Sequence, residues 1–141
     1  MKILLDTNIV LDYSLQRSEF VNNARKIFSM AFNHNIEAYI SASTVTDIYY
    51  IVQKYKTKEE ALKFLQNIIL FIEIAAVDKS VVLQSLHSDF QDFEDAVQNF
   101  SATDAEVNAI VTRNKKDYEF SKLPVYTPEE FIALFEKSPQ Q

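Results

Sequence analysis

The sequence predicts a single α/β domain in which a short central parallel sheet is flanked by helices on both faces. Three observations lead to this prediction. The chain has 141 residues, which is the length of one domain. Hydrophobic residues make up 48% of the chain, enough for a sizeable core. Short and almost wholly apolar segments alternate with longer amphipathic ones, which is typical of buried parallel strands joined by helices.

The strands are expected at five short apolar segments. They are residues 2–5, 39–40, 71–77, 109–112 and 125–126. Apolar residues at helical spacing predict the segments between and after them as helices. The expected helices span roughly residues 8–15, 19–35, 44–55, 58–70, 79–88, 93–102 and 128–136.

Capping side chains support the starts of these helices. Ser43, Asp78 and Asp92 each stand where a side-chain oxygen can accept a hydrogen bond from the first turn. Residues 57–60 and 127–130 both place Thr at the cap and Glu three residues later, which is the spacing of a capping box. We therefore assign residues 1–136 to the domain and residues 137–141 to a polar C-terminal tail.

Composition excludes several classes of function. The chain has no cysteine, which removes disulfides, zinc–thiolate sites and thiol chemistry, and its two histidines are too few for a multi-histidine metal site. It also has no glycine, so the glycine-rich loops that cradle phosphates are absent. A net charge of −6 argues against a protein that binds nucleic acid through Lys and Arg alone.

No segment of the sequence indicates a membrane or a secreted protein. No apolar run approaches the ~20 residues of a membrane span, and the first residues lack the pattern of a signal peptide. We therefore expect no membrane partner and a cytoplasmic location.

Four aspartates stand where the ligand site of an α/β fold is expected. Asp6 directly follows the first strand, and Asp47 lies at the edge of the apolar stripe of the third helix. Asp92 and Asp95 open the sixth helix. Ligands of open α/β sheets gather at the carboxyl ends of the strands. Each acid also has a structural interpretation, as a helix cap, a first-turn acid favoured by the helix dipole, or a residue that reaches solvent.

The segment that follows the fourth strand is strongly polar. It contains the acid Asp117 and three basic residues, Arg113, Lys115 and Lys116. A loop at a strand end is a common place for ligand contacts, although an ordinary solvated connection has the same composition. Basic side chains beside the acids can contact the phosphates of a substrate.

These acids together predict a metal site. Carboxylates from separate elements that share one cleft raise one another's pKa values unless a divalent cation holds them. Oxygen ligands without cysteine or clustered histidine favour Mg²⁺ or Mn²⁺. Such an ion activates water and stabilises the transition state of phosphodiester hydrolysis.

Five segments in order carry a resemblance to a known family. They are MKILLDTN at residues 1–8, SASTVTDIYY at 41–50, DFEDA at 92–96, AIVTRNKKDY at 109–118 and PVYTPEEF at 124–131. Together they resemble the PIN-domain ribonucleases, the family of many bacterial toxin–antitoxin toxins. The resemblance extends over nearly the whole chain. It implies a PIN-like fold and Mg²⁺- or Mn²⁺-dependent hydrolysis of an RNA substrate.

The resemblance also implies roles for individual residues. Asp6, Asp47 and Asp95 match catalytic metal ligands of the family. The fourth ligand is either Asp117 or Asn114, because many relatives have an aspartate where this chain has Asn114. The positions that line the site or offer an alternative ligand are Asn8, Asp92, Thr112 and Asn114, and the positions expected to bind the RNA backbone are Arg113, Lys115 and Lys116.

The sequence also leads to expectations about protein partners and about alternative functions. The resemblance implies a small antitoxin protein as partner and a homodimer. Asn114 leaves open a catalytically degenerate PIN domain that binds RNA or a protein. A phosphatase with Asp6 as nucleophile is disfavoured because Asn8 replaces the second aspartate that such enzymes carry, and a phosphorelay receiver needs an acidic pair that is absent. A purely structural domain explains each acid separately but not their joint order.

Overall fold

The fold is an α/β sandwich built on one parallel sheet, seen in a computed structural model that describes residues 1–137. Residues 138–141, the rest of the predicted tail, lie outside the described part, and Lys137 belongs to the last helix. The strands within the described residues are β1 (Lys2–Leu5), β2 (Glu37–Ser41), β3 (Ile72–Ala75), β4 (Ala109–Val111) and β5 (Val125–Tyr126). They pair in the order β3-β2-β1-β4-β5, and every pairing is parallel.

Helices connect the strands and cover both faces of the sheet, which confirms the predicted fold class. Within residues 1–137 they are α1 (Thr7–Ser14), α2 (Val21–Phe32), α3 (Ala42–Tyr55), α4 (Lys58–Ile68), α5 (Lys79–Leu86), α6 (Phe93–Asp104) and α7 (Pro128–Lys137). A 3₁₀ turn at Lys115–Tyr118 follows β4.

The central strand β1 contributes side chains to two cores. Ile3 and Leu5 belong to the larger core, while Leu4 belongs to a smaller core that also contains Ile110 and Tyr118. All three β1 side chains are inaccessible to solvent. A sheet that is covered on both faces requires apolar residues at successive positions, which explains the unbroken apolar run at the start of the sequence.

The order of the strands creates a crevice at the carboxyl ends of β1 and β4. The chain runs from β1 outward to β2 and β3, and then returns to the opposite side of β1 to form β4. Leu5 pairs with Val111 in the register of these two strands, so Asp6 and Thr112 leave the sheet side by side. Ligand sites of open α/β sheets form where the strand order reverses in this way.

Several boundaries differ from those predicted by the sequence. The cap of α3 is Ser41, whose Oγ accepts a hydrogen bond from the Thr44 N–H at 3.3 Å, so the prediction of Ser43 as the cap was wrong. The reason is that β2 extends to Ser41, which pairs with Ala75 of β3. The predicted caps Asp78 and Asp92 are confirmed, and so is the capping box at residues 57–60.

Three helices end without the glycine that usually follows a helix. Gln16, His34 and Glu106 have φ angles of 50°, 61° and 59°, in the left-handed region. They follow α1, α2 and α6, where a left-handed residue lets the chain leave the helix. For a residue with a Cβ this conformation costs roughly 1–2 kcal/mol, so the absence of glycine lowers the stability of the fold.

This backbone conformation gives a direct test by substitution. Glu106→Gly should raise the free energy of unfolding by about 1 kcal/mol, because glycine adopts the left-handed conformation without a steric penalty. Glu119→Gly is the matched control, since Glu119 has a φ of −60° and glycine there should lower stability by about 0.5–1 kcal/mol. Urea denaturation measures both changes. Equal effects of the two substitutions would contradict the assigned backbone strain.

Candidate functional site

An acidic cleft lies at the crevice between β1 and β4. Its volume is about 530 Å³. The structure brings together all four aspartates predicted as ligands, and two of the predicted site-lining residues join them. The polar residues of this cleft are Asp6, Thr7, Asn8, Asp47, Asp92, Glu94, Asp95, Gln98 and Asp117.

Asp6 is the most firmly held of these acids. It precedes α1, but its side chain makes no capping hydrogen bond to that helix. Instead, Thr112 Oγ1 donates to Asp6 Oδ2 at 2.8 Å, and Gln98 Nε2 donates to Asp6 Oδ1 at 3.2 Å. Asp6 is 7% exposed. Burial raises the pKa of Asp6, and the hydrogen bonds from Thr112 and Gln98 oppose that rise.

Gln98 connects Asp6 to the helices on both sides of the cleft. Its Oε1 accepts a hydrogen bond from the Thr7 N–H at 3.2 Å, and the Thr44 hydroxyl lies 3.5 Å away. The hydroxyl groups of Thr7 and Thr44 are 2.8 Å apart. Because Gln98, Thr7 and Thr44 are all buried, this network fixes the orientation of the Asp6 carboxylate.

The acidic side chains around Asp6 repel one another. Desolvation, followed by repulsion from Asp6, Asp92 and Asp117, raises the pKa of Asp95 to about 7. The contact between the side chains of Glu94 and Asp47, more than burial, raises the pKa of Glu94 to about 8. Two protons are therefore retained in the cleft at pH values where isolated carboxyl groups have lost them.

The structure separates the two candidates for the fourth ligand. Asp117 lies on the 3₁₀ turn and lines the acidic cleft with Asp6 and Asp95. Asn114 is exposed and is not among the residues that line the cleft, and its backbone N–H donates to Thr112 Oγ1 at 3.2 Å. Thr112 is fully buried and acts on the site through its hydrogen bond to Asp6.

Arg113, expected to bind RNA, is instead engaged within the fold. Its Nε lies 2.9 Å from Oδ2 of Asp12, a carboxylate that is 1% exposed. Arg17 approaches the other oxygen of Asp12 at 3.3 Å. The Arg113 guanidinium also lies 3.9 Å from the centre of the Phe20 ring. These contacts join α1 to the end of β4 and leave Arg113 with a structural partner on each side.

The two neighbouring lysines differ from each other. Lys115 forms an exposed ion pair with Glu130, with 3.2 Å between Nζ and Oε1. Lys116 lines an adjoining cavity of about 410 Å³ together with Asp92, Asp95 and Asp117. Of the three basic residues expected to contact the substrate, Lys116 is therefore the one that lies at the acids.

Sequence reasoning missed four residues of the site, which are Thr7, Glu94, Gln98 and Tyr118. Glu94 was passed over within a run of acids, although it pairs with Asp47 across the cleft. Gln98 follows Glu94 by four residues and Asp95 by three, a spacing that puts it on their face of α6. Tyr118 is 1% exposed, and within residues 1–137 its hydroxyl has no hydrogen-bond partner of regular geometry, although it lies close enough to Asp95 to lower the pKa of that acid.

The acids do not form a closed cage for an ion. Within residues 1–137, no three acidic or histidine side chains converge closely enough to hold a metal by themselves.

Within residues 1–137, no helix is both long enough and apolar enough to cross a membrane.

Comparison with known proteins assigns the family. Residues 2–116 match the family model of the PIN domain. The chain belongs to the PIN-domain family. It is 24% identical over 135 residues to Ribonuclease VapC1 of Aquifex aeolicus, a match that covers 92% of each chain.

Solved structures share the fold of this PIN domain. A toxin–antitoxin complex from Klebsiella pneumoniae gives a TM-score of 0.65 at 20% identity, covering 89% of this chain and 97% of that one. The sarcin–ricin loop-cleaving toxin VapC20 of Mycobacterium tuberculosis gives 0.66 at 9% identity, covering 82% and 92%. At such identities the likeness establishes the PIN fold.

The retained protons predict how stability depends on pH. A carboxyl group whose pKa is raised by folding binds its proton more tightly in the folded chain, so stability falls as pH rises from about 4 to about 8. In the presence of EDTA, the melting temperature should fall over this range. Glu94→Gln should flatten the upper part of the curve, whereas Glu59→Gln, outside the cleft, should keep the wild-type slope. Identical slopes for both variants would contradict the assigned repulsion.

Arg113 and Lys115 give a matched test of structural roles. Arg113→Ala should destabilise the fold by roughly 2–4 kcal/mol, because it leaves the buried Asp12 with Arg17 alone. Lys115→Ala should leave the denaturation midpoint nearly unchanged, since its ion pair is exposed. Chemical denaturation of both variants measures the difference. An Arg113→Ala variant as stable as the wild type would contradict the structural role of Arg113 and favour its predicted role in binding substrate.

Proposed function

We propose that this PIN domain is a metal-dependent endoribonuclease and the toxin of a toxin–antitoxin pair. The observation that carries the proposal is that Asp6, Asp47, Asp95 and Asp117 all line one cleft, at the crevice between β1 and β4. Ribonuclease VapC1, similar to this chain over 92% of its length, supports the nuclease activity. The loop-cleaving activity named for VapC20 supports RNA as the substrate.

The chemistry of the cleft fits Mg²⁺ or Mn²⁺. Its charged groups are carboxylates, and several of them repel one another strongly enough to retain protons. Mg²⁺ is usually bound through one or two carboxylates and keeps several water molecules, so it does not require three converging acids. Asp6, Asp95 and Asp117 are the proposed metal-binding acids, one or two of them as direct ligands and the rest through water molecules that the ion keeps, with Asp47 on the facing side of the cleft. When bound, the ion supplies positive charge that activates water and stabilises developing negative charge on phosphate oxygens.

Side chains around the cleft fix the orientation of the Asp6 carboxylate and retain a proton near it. Thr112 and Gln98 each donate to one oxygen of Asp6, which keeps the carboxylate in a single orientation. Partners of this kind typically change metal affinity or activity 10–100-fold when removed. Glu94, beside Asp47 at the other side of the cleft, has a raised pKa and can exchange its proton with a water that enters.

Lys116 supports the placement of RNA at the acids. It is the basic residue in the cavity that contains Asp92, Asp95 and Asp117. A phosphate contact from Lys116 would orient the backbone without selecting a sequence. Because the chain carries a net charge of −6, we expect RNA to bind through the cation and this local contact rather than through a broad basic surface.

An antitoxin partner forms part of the same proposal. The Klebsiella pneumoniae neighbour is named as a toxin–antitoxin complex, and that likeness covers 89% of this chain. We extend the partner to this protein and retain the homodimer that the family resemblance implies.

A second candidate function rests on a separate observation. No three acids within residues 1–137 converge on one point, and Asn114 replaces an acid that many relatives carry. These features favour a degenerate PIN domain that binds RNA or a protein without cleavage. The two candidates differ in whether a divalent ion switches on hydrolysis.

Metal-dependent cleavage decides between them. Wild-type protein should cleave a mixed RNA pool with Mg²⁺ or Mn²⁺ and not with EDTA. Asp6→Asn should lower the rate by more than the roughly 10–100-fold expected on loss of a ligand's supporting partner. Asp104→Asn, an acid at the far end of α6, should retain the wild-type rate. A folded protein that is inactive with either ion would support the degenerate alternative.

A further inference from the structure

A second groove lies beside the cavity that contains Lys116, and three phenylalanines line it together with polar side chains. It encloses about 450 Å³, within the range of small-ligand clefts. Phe120 lines this groove and also lines the cavity that contains Lys116, Asp95 and Asp117. The two sites are therefore adjacent along the surface, joined at the Phe120 ring.

The aromatic rings of the groove leave room for a planar group. Phe90 meets Phe100 at 6.0 Å between ring centres and 68° between planes, and it meets Phe120 at 6.3 Å and 63°. These steep angles mean that the rings are not stacked face to face. Phe120 is 51% exposed, so its ring offers surface on which a flat ligand can stack.

The side-chain oxygen of a buried amide in the same groove has no partner within residues 1–137. Asn99 on α6 is 3% exposed, and its Oδ1 has no hydrogen bond within residues 1–137. A side-chain amide has both donors and an acceptor, and buried groups of this kind are normally paired. Asn99 lines the groove, so a ligand with a polar edge can supply the missing partner.

Polar groups at the rim define the ligand further. Lys122 and His87 line the groove, and Asp89 lies with them. His87 Nδ1 donates to the Leu83 carbonyl at 2.9 Å, which makes Nε2 an acceptor in the neutral ring. A ligand with flat apolar faces, a polar edge and a neighbouring anionic group satisfies the ring, the amide and the lysine together.

We propose that this groove binds one unstacked nucleobase of a single-stranded RNA whose phosphate backbone enters the acidic cleft. Phe120 is the stacking platform, and Asn99 pairs with the edge of the base. This inference rests on the proposed function, because it assigns the groove to the same RNA substrate. Bases of single-stranded RNA are commonly recognised by stacking on aromatic side chains and by hydrogen bonds to their edges.

Binding of short RNA tests the two residues separately. Fluorescence anisotropy with 2′-O-methyl homopolymers of A, C, G and U, in the presence of Mn²⁺, gives affinity and base preference for the full-length protein. Phe120→Ala should lower affinity roughly 5- to 100-fold, the effect expected when a base loses an aromatic platform. Phe32→Ala is the matched control, since this phenyl ring is 64% exposed on α2 and should not affect binding.

Asn99→Leu separates recognition from folding. Removal of an unpaired buried amide should leave the melting temperature unchanged or raise it, so a structural role alone predicts no loss of RNA binding. The proposal predicts that the differences in affinity among the four homopolymers shrink in Asn99→Leu. If this variant does not fold, the half-exposed Phe120→Ala decides the question by itself.

The outcomes distinguish this proposal from the proposed nuclease function. Wild-type cleavage with unchanged affinity and base preference in both variants would overturn the nucleobase site and leave the nuclease standing, with the groove assigned to a protein contact. RNA binding that requires Phe120 without any cleavage would support the nucleobase site and contradict the nuclease. Wild-type protein that binds none of the four homopolymers would overturn the nucleobase site.

Discussion

The cleft depends on one constraint, which is that the Asp6 carboxylate is buried at the junction of β1 and β4 and cannot move away from its neighbours. Thr112 and Gln98 hold its two oxygens, and the β1–β4 register fixes where its backbone leaves the sheet. Burial, and after it repulsion from Asp6, raises the pKa of Asp95 to about 7. A cation that fills the cleft would convert this repulsion into attraction, so the same arrangement that strains the free protein favours metal binding.

The part of the site that follows strand ends could be predicted from the sequence. Apolar runs ending at Asp6 and Thr112 predict both strands, and parallel pairing then places the two residues together. Asp92 and Asp95 could also be predicted, because acidic and capping residues are favoured at the start of a helix. The predicted fold class is confirmed by the five parallel strands of the described residues.

The remaining features depend on contacts between distant elements, which local patterns do not report. Asp12 and Arg113 are about a hundred positions apart, so no local sequence pattern predicts the ion pair between them. Ser41 caps α3 because β2 continues to that residue, a boundary set by its pairing with β3. Glu94 joins the cleft because α6 packs near α3 and brings it to Asp47. Tertiary packing, rather than propensity, decides all three.

The central claim is that a divalent cation replaces protons in this cleft, and calorimetry tests it most directly. Mn²⁺ titration at pH 7 in buffers of different ionisation enthalpy measures how many protons are released on binding. We predict saturable binding with proton release, because raised pKa values leave Asp95 and Glu94 partly protonated at that pH. Asp6→Asn should weaken binding, whereas Asp104→Asn should not. No binding, or binding without proton release, would contradict the replacement of protons by a divalent cation in this cleft.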